Sequence, residues 1–341
     1  MASIRDVAKL AQVAPSTVSL VLNNKGYVSD ASRKKVLDAI KKLNYVPNEL
    51  ARNLYRNSTN IIGIIVPDVA HPFFGAFIGA LEIALYKYNY KIMVCSTIER
   101  ENAEHEIVDM LRRQMIDGII MGCHSLEVDL YDNVNKPIVA FDRIINNKIP
   151  IIRSDHEKGG RLAAQAMLKA GCKYPLQITG IKNTSMSAYL HHSAFKDELS
   201  RNGIEVINYE MEWNKFDMNY FKRVAVDVFE KYPHIDGVYG ADMVVCACLG
   251  EARKRKLDIP KDIKFIAYDG TFITESSFYN ITAIVQPINI LAQKTAQMIV
   301  SLIKNENIEK EVIMPISIHA RLLPEVEDLI EPGVVLQLHA L

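Results

Sequence analysis

Small hydroxyl and amide side chains are concentrated in one short segment near the start of the chain, APSTVSLVLNN at residues 14–24. Pro15 suits the first turn of a helix, since its missing N–H would have no partner there. Val18, Val21 and Leu22 recur at helical spacing and predict a buried stripe. The face left over carries Ser16, Thr17, Ser19, Leu20 and Asn23. Small hydroxyl residues allow close approach and can hydrogen-bond a base edge or a phosphate.

A second set of candidate residues follows apolar runs that are typical of buried strands. Ligands of open α/β sheets lie beyond the carboxyl ends of the strands, so residues at the start of the following loops are candidates. Phe73 and Phe74 can pack against a sugar ring, Asp142 and Asp269 can accept from vicinal hydroxyls, and Arg143 can donate two parallel hydrogen bonds. This set favours a polyol ligand. The alternative is that some of these residues cap helices or pair across a cleft.

Other motifs carry no chemistry that we would expect. Cys246 and Cys248 are two residues apart in an apolar, helix-like run and point to different sides, which disfavours joint metal ligation. His191 and His192 are adjacent, with no further ligand at a suitable spacing. EKGGR at 157–161 lacks both phosphate-binding glycine patterns and predicts a helix start. We therefore expect no enzyme activity, no metal and no cofactor.

The N-terminal segment predicts three short helices. In SIRDVAKLAQV, Ser3 and Asp6 form a potential capping box. APSTVSLVLNN is the second helix, and Ser29 caps a third whose inward residues are predicted to be Val36, Leu37, Ile40 and Leu43. The tight turn between the first two helices is typical of a helix-turn-helix, whose second helix enters the major groove. The alternative is a generic three-helix bundle with solvated basic residues.

The next segment, YVPNELARNLYRNST at residues 45–59, predicts a very short helix with few apolar residues. Isolated helices of this length are marginal in water, so this one needs support from elsewhere. A short basic helix with one outward leucine favours a hinge that folds on the duplex. Leu54 could then insert between base steps in the minor groove.

Charge is distributed unevenly along the 341 residues. Residues 1–60 carry ten basic and four acidic residues, a net charge of +6, whereas the remainder carries 30 basic and 36 acidic residues. A basic headpiece on an acidic body fits local contact with phosphates. The five cysteines form no dense framework, and neither a signal peptide nor a long apolar run is evident. We therefore expect a cytoplasmic protein with no membrane partner.

From residue 61 onward, apolar runs alternate with helical patterns, which favours an α/β fold. The predicted strands are 61–68, 91–98, 117–122, 136–142, 174–180, 204–210, 235–242, 263–270, 281–287 and 311–322. Similar strands, DGIIMG and DGVYGA, occur in the two halves. The pattern predicts two doubly wound, parallel-sheet subdomains.

Three segments together, IRDVAKLAQVAPSTVSLVLNN, YVPNELARNL and IIGIIVPD, resemble the lactose/galactose repressor family of bacterial transcription regulators. The resemblance covers nearly all of residues 2–322. It implies base-reading positions at Pro15, Ser16 and Leu20. It implies contacts to the DNA backbone or neighbouring bases at Thr17, Asn23, Tyr27, Ser29 and Ser32, and hinge positions at Asn48, Ala51 and Leu54. The region after the hinge also resembles periplasmic sugar-binding proteins.

The domain organisation follows from these patterns and that resemblance. We predict a helix-turn-helix domain at 1–45, a hinge at 46–59, a first effector subdomain at 60–157 plus 288–322, a second at 158–287, and a tail without an assigned role at 323–341.

The sequence departs from the family pattern at both sites. Gln12, Ala14 and Leu20 stand where the family often has Gly, Ser and Arg, and losing that arginine removes a potential bidentate contact to guanine. The operator sequence therefore does not carry over from other members. In the body, Phe216 matches an aromatic position over the ligand, whereas the shorter His191 replaces an arginine. Ala241 stands where sugar repressors often have Asn, which leaves Asp242 as the polar candidate.

These observations predict a homodimeric, operator-binding repressor whose two-lobed body binds a small effector, a sugar or sugar phosphate. The segment SDHEKGGRLAAQAMLKAGCKYPLQITG is most similar to the sucrose- or fructose-type branch of the family. One alternative is a solute-binding module that delivers a sugar to a transporter. Another is a DNA-binding protein whose pocket is vestigial or contacts a protein corepressor.

Overall fold

The structure, a computed structural model, describes most of the chain, namely residues 2–24, 26–46, 58–100, 102–122, 129–131, 134–181, 186–212, 215–276 and 280–329. The chain divides into two compact units, Met1–Thr59 and Asn60–Leu341. The predicted hinge residues Asn48, Ala51 and Leu54 lie outside the described residues. Within the part that is described, no helix combines the length and the apolar character needed to cross a bilayer.

The first unit contains the three predicted helices, α1 (Ile4–Ala11), α2 (Pro15–Asn23) and α3 (Asp30–Lys42). The predicted capping box is present in α1, where the Asp6 amide donates to Ser3 Oγ and Asp6 Oδ2 accepts from the Ser3 amide at 2.8 Å. Pro15 opens α2, and Ser29 caps α3 by accepting from the amide of Ser32.

A small apolar core holds the three helices together: Val7, Ala8, Ala11, Val18, Val21, Val36 and Ala39. The prediction that Leu37 points inward was wrong, because 53% of its surface is exposed. Val36, Ala39, Ile40 and Leu43 follow the spacing of one helical stripe, and Leu37 lies about 100° round the helix from Val36. The other two helices of the headpiece cover only that one stripe of α3, so Leu37 stays exposed.

The turn between α1 and α2 depends on a left-handed residue, Gln12, at φ +53°. Its amide closes α1 on the carbonyls of Ala8 and Lys9. A side chain with a Cβ is strained in this region, whereas glycine is not. We therefore expect Gln12→Gly to stabilise the headpiece by about 1 kcal/mol in urea unfolding. Asn24→Gly is the matched control at φ +52°, where asparagine already tolerates the conformation and the gain should be smaller.

The second unit begins with a six-stranded parallel sheet made of β1 (Ile61–Val66), β2 (Lys91–Ser96), β3 (Gly118–Met121), β4 (Ile138–Phe141), β5 (Ile151–Ser154) and β11 (Glu311–Met314). The strand order across the sheet is β11-β5-β4-β3-β1-β2. Helices α4 (Pro72–Tyr86) and α11 (Ile288–Ile303) cover one face, and α5 (Ala103–Arg112) covers the other.

A second six-stranded sheet follows, made of β6 (Pro175–Thr179), β7 (Ile207–Glu210), β8 (Gly237–Ala241), β9 (Lys264–Asp269), β10 (Thr282–Val285) and β12 (Ser317–His319). The strand order across this sheet is β12-β10-β9-β8-β6-β7. One face packs against α8 (Met218–Lys231) and α9 (Asp242–Lys254), the other against α6 (His156–Lys169) and α7 (Leu190–Arg201). The short α10 (Phe272–Ser276) follows β9. The predicted pair of doubly wound sheets is confirmed.

The structure differs from the sequence prediction at three places in this unit. Ile151–Ser154 is a strand that the sequence did not predict. The segment 311–322, predicted as one strand of the first subdomain, is two strands, and its second part, Ser317–His319, pairs antiparallel with β10 in the second sheet. The predicted tail begins with a short 3₁₀ turn, Pro324–Leu329, with Val326 fully buried against the core of the second sheet.

Candidate functional site

The second helix of the headpiece presents an exposed, weakly polar surface. Pro15 and Ser16 at its N-terminus are exposed, and Leu20 one turn later is 37% exposed. Tyr27, in the loop after the helix, is 93% exposed. Exposed residues at the start of a second helix are those that reach base edges in a helix-turn-helix.

The remaining predicted DNA contacts in this unit are partly engaged within it. Thr17 and Ser19 are half-buried, and the Asn23 side-chain amide donates to the Ser19 carbonyl at 2.9 Å. Ser29 Oγ, which caps α3, accepts from the Ser32 amide and donates to Ser32 Oγ at 3.0 Å. The structure thus brings nine of the predicted residues into one small unit.

The second unit contains a cavity of about 190 Å³ whose wall comes mainly from the second subdomain. It is lined by His71, Gly180, Ile181, Met186, Ala188, Tyr189, His191, His192, Met211, Glu212, Lys215, Phe216, Phe221 and Ala241. His71, which precedes α4, is the contribution of the first subdomain. An aromatic and aliphatic wall with a few polar groups is typical of a small-molecule site.

Two of the predicted effector contacts, His191 and Phe216, line this cavity. The Phe216 ring lies edge-on to the ring of His71 at a centroid distance of 5.6 Å. Phe74 packs against His71 behind the lining residues, with the two ring centroids 5.5 Å apart. Phe73 instead packs in the core of the first subdomain, stacked on Phe141 at 5.8 Å.

The three predicted carboxylates are engaged by protein groups. Asp142 Oδ1 lies 2.7 Å from His156 Nε2, and Asp269 Oδ1 accepts from Gln286 Nε2 at 2.7 Å. Asp242 accepts from the backbone amide of Thr271 at 2.7 Å and from its hydroxyl at 2.6 Å. Burial raises the pKa of Asp242 to about 7, although these donors pull it back. Asp242 therefore stabilises the backbone turn that follows β9.

The predicted arginine, Arg143, is 1% exposed and lies in the first subdomain. Its Nη1 is 3.9 Å from Glu104 Oε2, which also accepts from the Tyr131 hydroxyl at 2.9 Å. Met121 Sδ lies 3.8 Å from the same guanidinium nitrogen. The structure places Arg143 in a buried charge pair rather than among the residues that line the cavity.

Sequence reasoning missed several residues of the wall, above all His71, His192 and Tyr189. His71 directly precedes the helix that follows β1, so the rule that selected Phe73 and Phe74 could have found it. Its Nδ1 is fully buried, with no hydrogen-bond partner among the described residues. His192 Nδ1 lies 3.2 Å from Gln177 Oε1.

Burial keeps the cavity histidines neutral. It lowers the pKa of His71 to about 4 and that of His192 to about 3, and it holds the pKa of His191 well below its usual range. The neighbouring His192 and His156 add to the effect at His191. At neutral pH these imidazoles offer hydrogen bonds and ring faces rather than positive charge.

This predicts an acid-sensitive contribution of His71 to stability. The unfolded chain binds a proton below about pH 6.5, while the folded protein resists it until about pH 4. The stability is therefore complete above pH 6.5 and is lost as the pH falls towards 4, by up to about 3 kcal/mol. His71→Gln should escape this loss. Between pH 7 and pH 4, its free energy of unfolding in urea should therefore rise by that amount relative to the wild-type value.

The exposed His234 provides the matched control. His234→Gln makes the same side-chain change at an exposed position and so measures the effect of the substitution itself. Equal pH profiles for wild type and His71→Gln would contradict the assigned burial effect.

Two family models match the chain. Residues 3–48 match the model of bacterial regulatory proteins of the lacI family, and residues 59–325 match that of the periplasmic binding proteins and sugar binding domain of the LacI family. Together they span both structural units.

Individual proteins are similar over nearly the whole chain. A sucrose operon repressor from Streptococcus mutans is 35% identical over 93% of this chain and 98% of its own. A ribose operon repressor from Halalkalibacterium halodurans is 33% identical over 91% and 92%. Among solved structures, the lac repressor dimer bound to operator and an anti-inducer superposes with a TM-score of 0.83, at 22% identity, over 94% of this chain and 98% of that one. The similarity to the lac repressor structure supports the fold assignment.

Proposed function

This chain belongs to the lacI family of bacterial regulatory proteins, and on that premise we propose that it represses transcription of an operon for carbohydrate use. It binds operator DNA as a homodimer, and a small sugar-like effector in the cavity between the subdomains releases or tunes it. The observation that carries the proposal is the presence, in one chain, of an exposed helix-turn-helix face and a separate cavity walled by aromatic and imidazole rings.

The DNA-binding half of the proposal rests on the headpiece. Pro15, Ser16 and Leu20 lie on the exposed side of α2 and are proposed to reach base edges. The flanking contacts are assigned to Thr17, Ser19, Asn23, Tyr27, Ser29 and Ser32, and the hinge contacts to Asn48, Ala51 and Leu54. One headpiece reads one half-site, so a homodimer on an inverted repeat follows.

The effector half rests on the cavity and on the relatives. A sucrose operon repressor and a ribose operon repressor are similar over more than nine-tenths of the chain, which supports a sugar as the ligand class. Phe216 and Tyr189 provide ring faces for it, and His71 and His192 provide polar groups. The other predicted contacts are not among the described residues that line the cavity: Phe73, Phe74, Asp142, Arg143, Asp242 and Asp269. Of these, Phe74 contacts the ring of His71.

The proposed mechanism is linkage between the two sites. An effector shifts the protein between states only if it binds them unequally. The first subdomain is proposed to comprise residues 60–157 and 288–316, and the second to comprise residues 158–287 and 317–329. The two subdomains change their relative orientation, and the hinge at 46–59 passes this change to the headpiece. A regulator of chromosomal DNA acts in the cytoplasm and needs no catalytic group, and the relatives are repressors.

A thermal-shift screen of sugars and sugar phosphates tests the effector claim. A ligand that binds only the folded state stabilises it by about 2.7 kcal/mol when its concentration is 100 times Kd, and this stabilisation raises Tm. We expect a shift with at least one sugar, loss of that shift in Phe216→Ala, and its retention in Phe272→Ala, which truncates an exposed phenylalanine on α10. No shift with any compound would favour a vestigial pocket or a protein corepressor.

A further inference from the structure

The two subdomains are joined near the cavity by a buried histidine, His156, the first residue of α6. The ring is fully buried, and both of its nitrogens are engaged. Nε2 lies 2.7 Å from Asp142 Oδ1 at the end of β4 in the first subdomain. Nδ1 lies 2.6 Å from the hydroxyl of Tyr268 on β9 in the second subdomain.

The chemistry of Asp142 fixes the direction of the first hydrogen bond. A carboxylate only accepts, so Nε2 carries the hydrogen and donates to Asp142. Nδ1 is the ring atom left to pair with the Tyr268 hydroxyl. One ring thus joins a carboxylate of the first subdomain to a tyrosine of the second.

The same tyrosine forms the back of the cavity wall. The Tyr268 ring stacks on the ring of His191, with centroids 3.6 Å apart and planes 11° apart. His191 lines the cavity, and its Nδ1 is 2.8 Å from the hydroxyl of Tyr239. A ligand that displaces the His191 ring therefore presses directly on Tyr268.

Close packing leaves little room for the network to absorb such a displacement. A Cβ on Gly159, in the first turn of α6, would lie 3.1 Å from the Tyr268 hydroxyl oxygen and 3.0 Å from its ring. A Cβ on Gly160 would lie 2.2 Å from the carbonyl oxygen of His191. The start of α6, the tyrosine and the cavity histidine are therefore in direct contact, and tightly packed groups transmit displacement.

At the other end, Asp142 holds the second subdomain through its backbone as well. Its carbonyl accepts from the Ser187 amide at 3.0 Å, between the cavity-lining residues Met186 and Ala188. Asp142 itself has a left-handed backbone, at φ +53°. Such a conformation persists where surrounding contacts hold it, and here His156 pairs with the side chain, the Ser187 amide donates to the carbonyl, and the Asp142 amide donates to the Ile152 carbonyl at 3.0 Å.

We propose that His156 is the positioning residue that couples the cavity wall to the orientation of the subdomains, acting through Tyr268 and Asp142 without touching the ligand. This inference rests on the proposed effector function and names how that site is regulated. When the Tyr268–His156–Asp142 contacts are intact, Asp142 holds Ser187 and the subdomains stay joined as they are here. When the contacts break, the Asp142–Ser187 hydrogen bond opens.

Tyr268→Phe removes only the hydroxyl and keeps the ring that stacks on His191. Tyr209→Phe is the matched control, since its hydroxyl also donates at 2.6 Å, to Asp227, on the far side of the second subdomain. Hydrogen exchange of the full chain is then followed at the Ser187 amide. We expect at least 10-fold faster exchange there in Tyr268→Phe and an unchanged rate in Tyr209→Phe.

A rate at Ser187 that is the same in all three proteins would overturn the proposal. A purely local role of the hydroxyl would speed exchange in α6 and β9 alone, which likewise contradicts it. Titrations with sucrose, fructose and ribose, read by the fluorescence of the single tryptophan, Trp213, separate this claim from the proposed function. If wild type binds none of them and none of the compounds in the thermal-shift screen, the sugar-effector proposal fails, while the exchange result at Ser187 still decides the role of His156.

Discussion

Replacing Ser16 with glutamate is expected to weaken operator binding by about 100-fold or more. Ser16 is exposed at the N-terminus of α2, where the proposed docking brings it against the DNA. A carboxylate there faces the phosphates, and juxtaposed like charges cost several kcal/mol. The measurement is fluorescence anisotropy on a duplex that the wild-type protein has selected from a random library.

Ser200→Glu is the control for the added charge. Ser200 is exposed near the end of α7 in the second unit, so the same change of net charge is placed outside the headpiece. This variant should bind the selected duplex within a few-fold of wild type. Equal losses in both variants would show a general charge effect, and no loss in Ser16→Glu would contradict the assignment of α2 as the reading helix.

The second large effect is expected at Gly160, where α6 and α7 cross. A methyl group there would lie 2.2 Å from the His191 carbonyl oxygen and 2.9 Å from Ala194 Cβ, so the helices must move apart. Overpacking of this kind costs about 3 kcal/mol, and here the atom in the way belongs to the backbone. We expect Gly160→Ala to lower the free energy of unfolding by about that amount in urea titrations.

Gly250→Ala tests whether the loss is specific to that crossing. Gly250 lies within α9, with no atom inside 4 Å of its added Cβ, and alanine favours a helix over glycine by about 0.5–1 kcal/mol. This variant should be slightly stabilised. Gly160→Ala should also weaken sugar binding, since the displaced carbonyl belongs to a cavity residue. Wild-type stability in Gly160→Ala would contradict the close approach of the two helices.

The sequence predicted most of the elements because their signals are local. Ser3 and Asp6 are three residues apart, and both sides of the predicted capping box are present. Strands such as β1 consist almost wholly of branched apolar residues and were recognisable by composition alone. β5 was missed because only Ile151 and Ile152 give it an apolar signal, and its place in the sheet depends on pairing with β11 far along the chain.

The surroundings of the site were harder to predict, because they depend on contacts between distant segments. Asp142, Asp242 and Asp269 do follow strands, as the sequence indicated, but only the structure shows which donors engage them. Arg143 follows Asp142 directly in the sequence, but only the structure shows that its guanidinium lies 3.9 Å from Glu104. His156 and Tyr268 are 112 positions apart, so no local pattern brings them together.

The most direct test of linkage between the two sites is the affinity of the full chain for its selected operator, with and without a saturating sugar from the thermal-shift screen. We expect an inverted-repeat operator and a change in Kd of at least about 5-fold on adding the sugar, the lower end of typical coupling energies. A protein that selects no sequence, or one whose operator affinity is the same with and without a bound sugar, would contradict this expectation.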